Sequence, residues 1–173
     1  NNSLTSNVSF PTGPDFGVLS VTMPTQAAPG ATFEVNTTVG SLAVPYSGMV
    51  GYRLLLSADA TVDAADPVLG NFVVTLAGER SVSSRQSVTM PMSAAPGSYF
   101  ILAVVDPTLT IRELNENNNG GGSATRILNG FDFRAATVTI SNLAEVGQPI
   151  TVTGTLQSVG LTYTGQLPVA VYL

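Results

Sequence analysis

The feature that most constrains this chain is that it repeats itself. The segment Asp15-Phe16-Gly17-Val18-Leu19-Ser20-Val21-Thr22 returns as Asp132-Phe133-Arg134-Ala135-Ala136-Thr137-Val138-Thr139, an offset of 117 residues. The same offset places Gly30 on Gly147, Val35 on Val152, Tyr46 on Tyr163, Gly48 on Gly165 and Leu56 on Leu173 without a gap. Turn glycines and alternating apolar positions answer to different physical demands, so chance does not explain a match in both. Read backwards, the offset sets Asn1-Asn2 on Asn118-Asn119, Phe10 on Ile127 and Gly13 on Gly130. The expected organisation is the last strand of a preceding unit (1–13), one complete unit (14–130) and the first strands of a following, incomplete unit (131–173). The opening strands of a sandwich, taken alone, expose a core face and unpaired edges, so residues 130–173 are not expected to fold by themselves.

Within the complete unit, short apolar bursts alternate with turn-forming Gly, Pro, Ser and Thr. The pattern predicts about seven short strands of an all-β sandwich. They fall at 16–23, 31–39, 49–57, 71–76, 83–90, 98–105 and 123–127. The second is the clearest, with Phe33, Val35, Thr37 and Val39 on one face and Thr32, Glu34, Asn36 and Thr38 on the other, the signature of a half-buried antiparallel strand. In the first strand, Phe16, Val18, Ser20 and Thr22 alternate with Gly17, Leu19, Val21 and Met23. Residues 98–105, Ser-Tyr-Phe-Ile-Leu-Ala-Val-Val, are the most hydrophobic and are expected at the centre of a sheet. No stretch combines a helical period with capping residues.

Composition then removes whole classes of chemistry. The chain has no His and no Cys, and Arg supplies all 6 of its basic residues. It therefore lacks the commonest general base, thiolate and disulfide chemistry, and any lysine for a Schiff base or a Lys–Asn crosslink. A net charge of −5 with scattered Arg disfavours nucleic acid and anionic lipid. No apolar run reaches the ~18 residues of a membrane span, so no membrane insertion is expected of this segment.

Three motifs resemble a known family. They are Leu55-Leu56-Ser57-Ala58-Asp59-Ala60-Thr61-Val62-Asp63 with Asp66-Pro67-Val68-Leu69-Gly70, then Ala95-Pro96-Gly97-Ser98-Tyr99, then Val104-Val105-Asp106-Pro107 with Glu113-Leu114-Asn115-Glu116-Asn117-Asn118. Together they resemble a repeat of CARDB, the cell adhesion related domain found in bacteria, across the whole 14–130 unit. The resemblance implies an immunoglobulin-like antiparallel β-sandwich, in tandem, on large secreted or surface proteins of bacteria and archaea. It brings no catalytic residues.

Two acidic clusters are the candidate sites. Asp59, Asp63 and Asp66 share one connection, and Asp106, Glu113 and Glu116 share another. Carboxylates with backbone carbonyls suit Ca²⁺, although the spacing departs from a calcium-loop motif and lacks its closing Glu. The competing reading is structural: Asp and Asn side chains bond nearby backbone N–H groups and shape turns. Glycosidase chemistry by Glu113 and Glu116 would need a cleft that the pattern does not offer. In an immunoglobulin-like sandwich the two connections leave opposite ends, so in a head-to-tail array the two clusters of successive units would face each other, bridged by Ca²⁺. Asn7-Val8-Ser9, Asn36-Thr37-Thr38 and Asn1-Asn2-Ser3 also fit the N-glycosylation pattern.

The function expected from these features is non-enzymatic: a structural or adhesive repeat of a large extracellular microbial surface or filament protein. Its expected partners are neighbouring repeats, through the short link at 128–131, and like chains in a filament. The alternative is a carbohydrate- or protein-binding accessory module of a large secreted hydrolase. The absence of Trp and an aromatic content of only 7% weigh against a sugar platform.

Overall fold

The computed structural model describes residues 12–140 and 145–172. The expected last strand of a preceding unit and the Asn1 and Asn7 triplets lie outside the described residues. Residues 14–130 form two facing sheets, antiparallel except for one short parallel pair. The smaller sheet has the order β1-β3-β6, from β1 (Phe16–Thr22), β3 (Thr32–Ser41) and β6 (Ser81–Thr89). The larger runs β2-β9-β7-β4-β5, from β2 (Gln26–Ala27), β9 (Ile127–Asn129), β7 (Gly97–Val105), β4 (Ser47–Ser57) and β5 (Val68–Ala77). A further short strand, β8 (Gly120–Gly122), shares one edge of β7 with β9. As expected, β7 is central, flanked by β4 on its other side.

The core lies between the sheets and follows from the alternation of side chains along each strand. Phe33, Val35, Thr37 and Val39 of β3 are all buried, as their spacing predicts. From the facing sheet come Val50, Tyr52, Leu54 and Leu56 of β4 and Ile101, Ala103 and Val105 of β7. Each fully buried aliphatic side chain here contributes roughly 1.5–3 kcal/mol by leaving water. The Tyr52 hydroxyl crosses the interior to donate to Ser84 Oγ at 3.2 Å.

Three features differ from the sequence expectation. First, β1 has no single apolar face because its register against β3 shifts between Val18 and Ser20. A bulge adds one residue and reverses the phase of the strand, so Phe16 and Val21, which an unbroken strand would place on opposite faces, both enter the core. Second, the chain crosses from one sheet to the other after Thr22. The two-residue β2 then pairs parallel with β9, and Leu128 N–H donates to Thr25 O at 2.9 Å.

Third, the single strand expected at 123–127 is replaced by β8 and β9 with a step between them. Gly120–Gly122 pair with Leu102–Val104, and at two of the three a side chain would crowd its neighbours: a Cβ on Gly121 would lie 2.7 Å from the Val18 Cβ, and one on Gly122 would lie 2.5 Å from Leu102 Cδ2. Glycines read as loop in sequence, yet at 121 and 122 they are what allows the close approach. Ser123 holds the step, since its N–H donates to Ile101 O and its Oγ accepts from Ile101 N–H.

Residues 131–172 contain β10 (Asp132–Ile140) and β11 (Val152–Val159), paired antiparallel as a two-stranded sheet. The apolar side chains on one face of this hairpin border an open groove of about 420 Å³ with residues 169–172.

Candidate functional site

Both acidic connections are built by their own carboxylates. In the 58–67 connection, Ser57 Oγ accepts from Asp59 N–H at 3.2 Å and Asp59 Oδ1 accepts from Thr61 N–H at 2.7 Å. Asp63 Oδ1 accepts from Ala65 N–H at 2.7 Å, and Asp66 Oδ2 accepts from Asp63 N–H at 3.1 Å. Each Asp thus closes a local turn by giving an exposed N–H an acceptor, the ordinary behaviour of Asp in loops.

These turns carry the loop back over the outer face of the larger sheet. Leu55 and Leu102 are buried although they point away from the core, on the opposite side of their strands from Leu54, Leu56, Ile101 and Ala103. A cleft of about 290 Å³ separates Val62, Asp63 and Asp66 of the loop from Arg53, Val104 and Pro107 of the sheet and its end. The two connections do leave β4 and β7 at opposite ends, because Ser57 pairs with Phe100 and Tyr52 with Val105. The fold-back nonetheless brings Asp63 and Asp66 toward Pro107, beside the second acidic connection of the same unit. Strand order alone did not reveal this.

The second connection, 106–119, is tied down at both ends. Asp106 takes a left-handed backbone (φ 39°), which Asp tolerates better than most residues. It is buried; its Oδ1 accepts from the Thr110 hydroxyl and its Oδ2 from Ile111 N–H, both at 2.7 Å. Burial works to raise its pKa, but the donors from Ile111 and Thr110 outweigh it and hold the carboxyl below its ordinary value.

Glu113 reaches across to the start of β1. One carboxylate oxygen accepts from Phe16 N–H, and the other accepts from Asn119 Nδ2 at 2.8 Å. Alongside it, Leu114 N–H donates to Pro14 O at 3.0 Å and Asn118 Nδ2 donates to Asp15 Oδ1 at 2.9 Å. Burial raises the Glu113 pKa above its ordinary value. The bonds from Phe16 and Asn119 oppose that shift, and the carboxylates of Glu116 and Asp106 add to it. Glu116 accepts from Glu113 N–H at 3.0 Å.

The arrangement is a clasp: residues 113–119 hold the entry of the first strand against the exit of the seventh. The motif residues were legible in sequence, but the clasp was not. Glu113 and Phe16 are separated by 97 residues and Asn118 and Asp15 by 103, and nothing local marks them as partners. Among the described residues, no three acidic side chains gather into a group that could hold a metal ion. The Oδ1 atoms of Asn118 and Asn119 are buried without a hydrogen-bond partner.

Two antiparallel sheets packed face to face, with an entry strand that changes sheets, define an immunoglobulin-like sandwich module. The chain belongs to the CARDB family, whose profile matches residues 13–122, a non-catalytic family of cell-adhesion-related domains. Among solved structures it is similar to the CARDB domain of a Pyrococcus furiosus protein solved in complex with di-metal ions, at 21% identity and a TM-score of 0.52, covering 70% of this chain and 98% of that one. It is also similar to a domain of a Methanosarcina acetivorans protein provisionally assigned to the cell surface, at 23% identity and a TM-score of 0.50, covering 68% and 94%. No curated protein matches the chain in sequence.

Proposed function

We propose that this chain is part of a non-enzymatic structural or adhesive protein displayed outside the cell, with the 14–130 sandwich as a repeating body. The observation that supports this reading most is the use made of the acids. Asp106 and Glu113, the two carboxyls with shifted pKa values, both accept backbone N–H groups: Asp106 closes its own connection and Glu113 ties that connection to the first strand. A pair of acids engaged in this way works as a joint, since neither presents a free oxygen to a substrate across a cleft. Membership of an adhesion-related family supports the location. Calcium enters the proposal only at a junction between successive units.

The test is scattering from the native polypeptide together with a glycan array. A rod whose length grows by a constant step per unit, with no saturable glycan binding, is the expected result. Saturable binding of one glycan class would replace this reading with an accessory binding module of a larger secreted enzyme.

A further inference from the structure

Only two asparagines in the chain are followed by glycine, in Asn119-Gly120 and Asn129-Gly130. Asn–Gly is the most reactive setting for an asparagine amide, because a glycine nitrogen has no side chain beside it to shield it. Both pairs lie where the unit closes, one at the start of β8 and the other at the end of β9. Both asparagines are buried, at 5% and 3% exposure, whereas the other described asparagines are exposed or half-buried.

The fold grips the two amides in the same way. Asn129 Nδ2 donates to Ala94 O and Ala95 O, both at 3.0 Å, and Asn119 Nδ2 donates to Glu113 Oε1 at 2.8 Å. Each amide nitrogen is tied down, while each Oδ1 is buried without a hydrogen-bond partner. Ring closure onto the next backbone nitrogen needs the opposite. The amide must turn from its acceptors, and the negative charge that gathers on Oδ1 must find a donor. At Asn129 the backbone is held as well. The residue pairs with Gly97 of β7 on one side and Ala27 of β2 on the other, and Gly130 N–H is directed at Ala27 O at 3.5 Å.

We propose that Asn129-Gly130 is a deamidation site held shut by the fold, and that its reaction makes an opening of β9 permanent. When β9 lifts, solvent hydroxide takes the Gly130 amide proton and the freed nitrogen attacks Asn129 Cγ. The new N–Cγ bond forms, the Cγ–Nδ2 bond breaks, and Nδ2 leaves as ammonia with a proton from water. Water then opens the five-membered succinimide at either carbonyl. One route gives aspartate at position 129. The other gives isoaspartate, with the backbone rerouted through the side chain and one carbon longer.

Neither product fits the closed site. A carboxylate would set its oxygens against the carbonyl oxygens of Ala94 and Ala95, a buried charge with no donor where the amide had donated twice. The longer backbone of isoaspartate would also break step with Gly97 and Ala27. Strand β9 carries Ile127, which is fully buried in the core, so a unit that fails to reclose there stays marked as one that has opened. The reaction needs only water and stands apart from the adhesive reading.

The experiment ages the 173-residue chain in warm, mildly alkaline buffer, with and without denaturing urea, and locates each new acid by peptide mapping. In urea, Asn119 and Asn129 are expected to convert well before Asn36 and Asn71, which precede Thr and Phe. In the folded chain, conversion at Asn129 is expected to slow by at least ~100-fold, the scale of a protected strand. It should rise with sub-denaturing urea in step with hydrogen exchange at Leu128, whose N–H donates to Thr25 O at 2.9 Å. Converted chains, separated by their added negative charge and returned to native buffer, are expected to exchange at Leu128 at least ~10-fold faster than unconverted ones, as the loss of buried hydrogen bonds requires. Conversion of Asn129 at one rate in the folded chain and in urea would overturn the gate. Unchanged exchange at Leu128 in converted chains would overturn the one-way step.

Discussion

The two hairpins β1–β3 and β10–β11 are an internal control that few chains provide. They share a register, a bulge, a turn and an aromatic pair, yet one lies in a core and the other faces water. The difference teaches which part of the fold is local. Strand pairing, bulge position and turn geometry survive without a second sheet. Burial does not, and burial supplies most of the favourable free energy. The sharpest way to break this comparison is to place a charge at matched positions. Val21→Asp puts an unpaired carboxylate in a closed core and is expected to cost about 3–5 kcal/mol, most of a small domain's stability. Val138→Asp in the 173-residue chain is expected to change the unfolding free energy of the 14–130 unit by under ~0.5 kcal/mol. Equal losses would show that the hairpin is docked on the unit and would dissolve the comparison.

A second contrast concerns how the hairpin's entry is held. Phe16 N–H is gripped by Glu113, whereas residues 131–172 carry no counterpart of the 106–119 connection. Glu113→Ala leaves a donor beside a fully buried ring without its acceptor, a loss of about 1–3 kcal/mol. Exchange at the Phe16 amide is expected to accelerate, while exchange at the Phe133 amide stays as it was. Acceleration at both would mean that Glu113 acts through general unfolding rather than as a local clasp.

The same contrast marks what the sequence could tell. Strand β3 was legible because Phe33, Val35, Thr37 and Val39 keep a strict two-residue period through a strand paired on both sides. Strand β1 was legible as a strand at 16–23, but its inward face was not, because its bulge breaks the period between Val18 and Ser20. The 120–129 segment was misread because glycine signals loop and close approach alike, and only the distant Val18 and Leu102 side chains decide between them. At the site, the local half of the chemistry was legible: Asp59, Asp63 and Asp66 behave as turn-forming acids. The non-local half was hidden, since neither the burial of Leu55 and Leu102 on the outer face nor the reach of Glu113 to Phe16 has a signature within a few residues.

The clasp also gives the complete unit a pH response that the isolated hairpin lacks. The folded-state pKa of Glu113 is raised, so the folded unit binds a proton more readily than the unfolded chain. Its stability rises as pH falls through that pKa toward the ordinary value for Glu. Asp106 has a lowered folded-state pKa, so its contribution is complete above the ordinary Asp value and is lost as pH falls below it. The expected melting profile climbs gently from neutral pH into the mildly acidic range and turns down at more acidic pH. Glu113→Gln should flatten the climb and leave the downturn. A profile that falls steadily from neutral pH would contradict the assigned direction for Glu113.

The smallest effect expected is that of calcium on a single unit. The carboxylates of Asp59, Asp63, Asp66, Asp106, Glu113 and Glu116 each accept a hydrogen bond from the chain itself, and a cation would have to displace those donors to gather the six to eight oxygens Ca²⁺ takes. Adding calcium or a chelator should therefore leave the melting temperature of the 173-residue chain unchanged. A rise with calcium would direct attention to the clasp, where Asn118 and Asn119 hold buried, unpartnered Oδ1 atoms between Asp15 and Glu113. Asn119→Ala would separate the two cases. It removes an idle carbonyl oxygen and a donor to Glu113, so it should abolish a calcium response centred on the clasp. A response that survives it would belong to the Asp59–Asp66 turns or to a junction between units, and repeating the titration on a chain carrying two complete units would distinguish those.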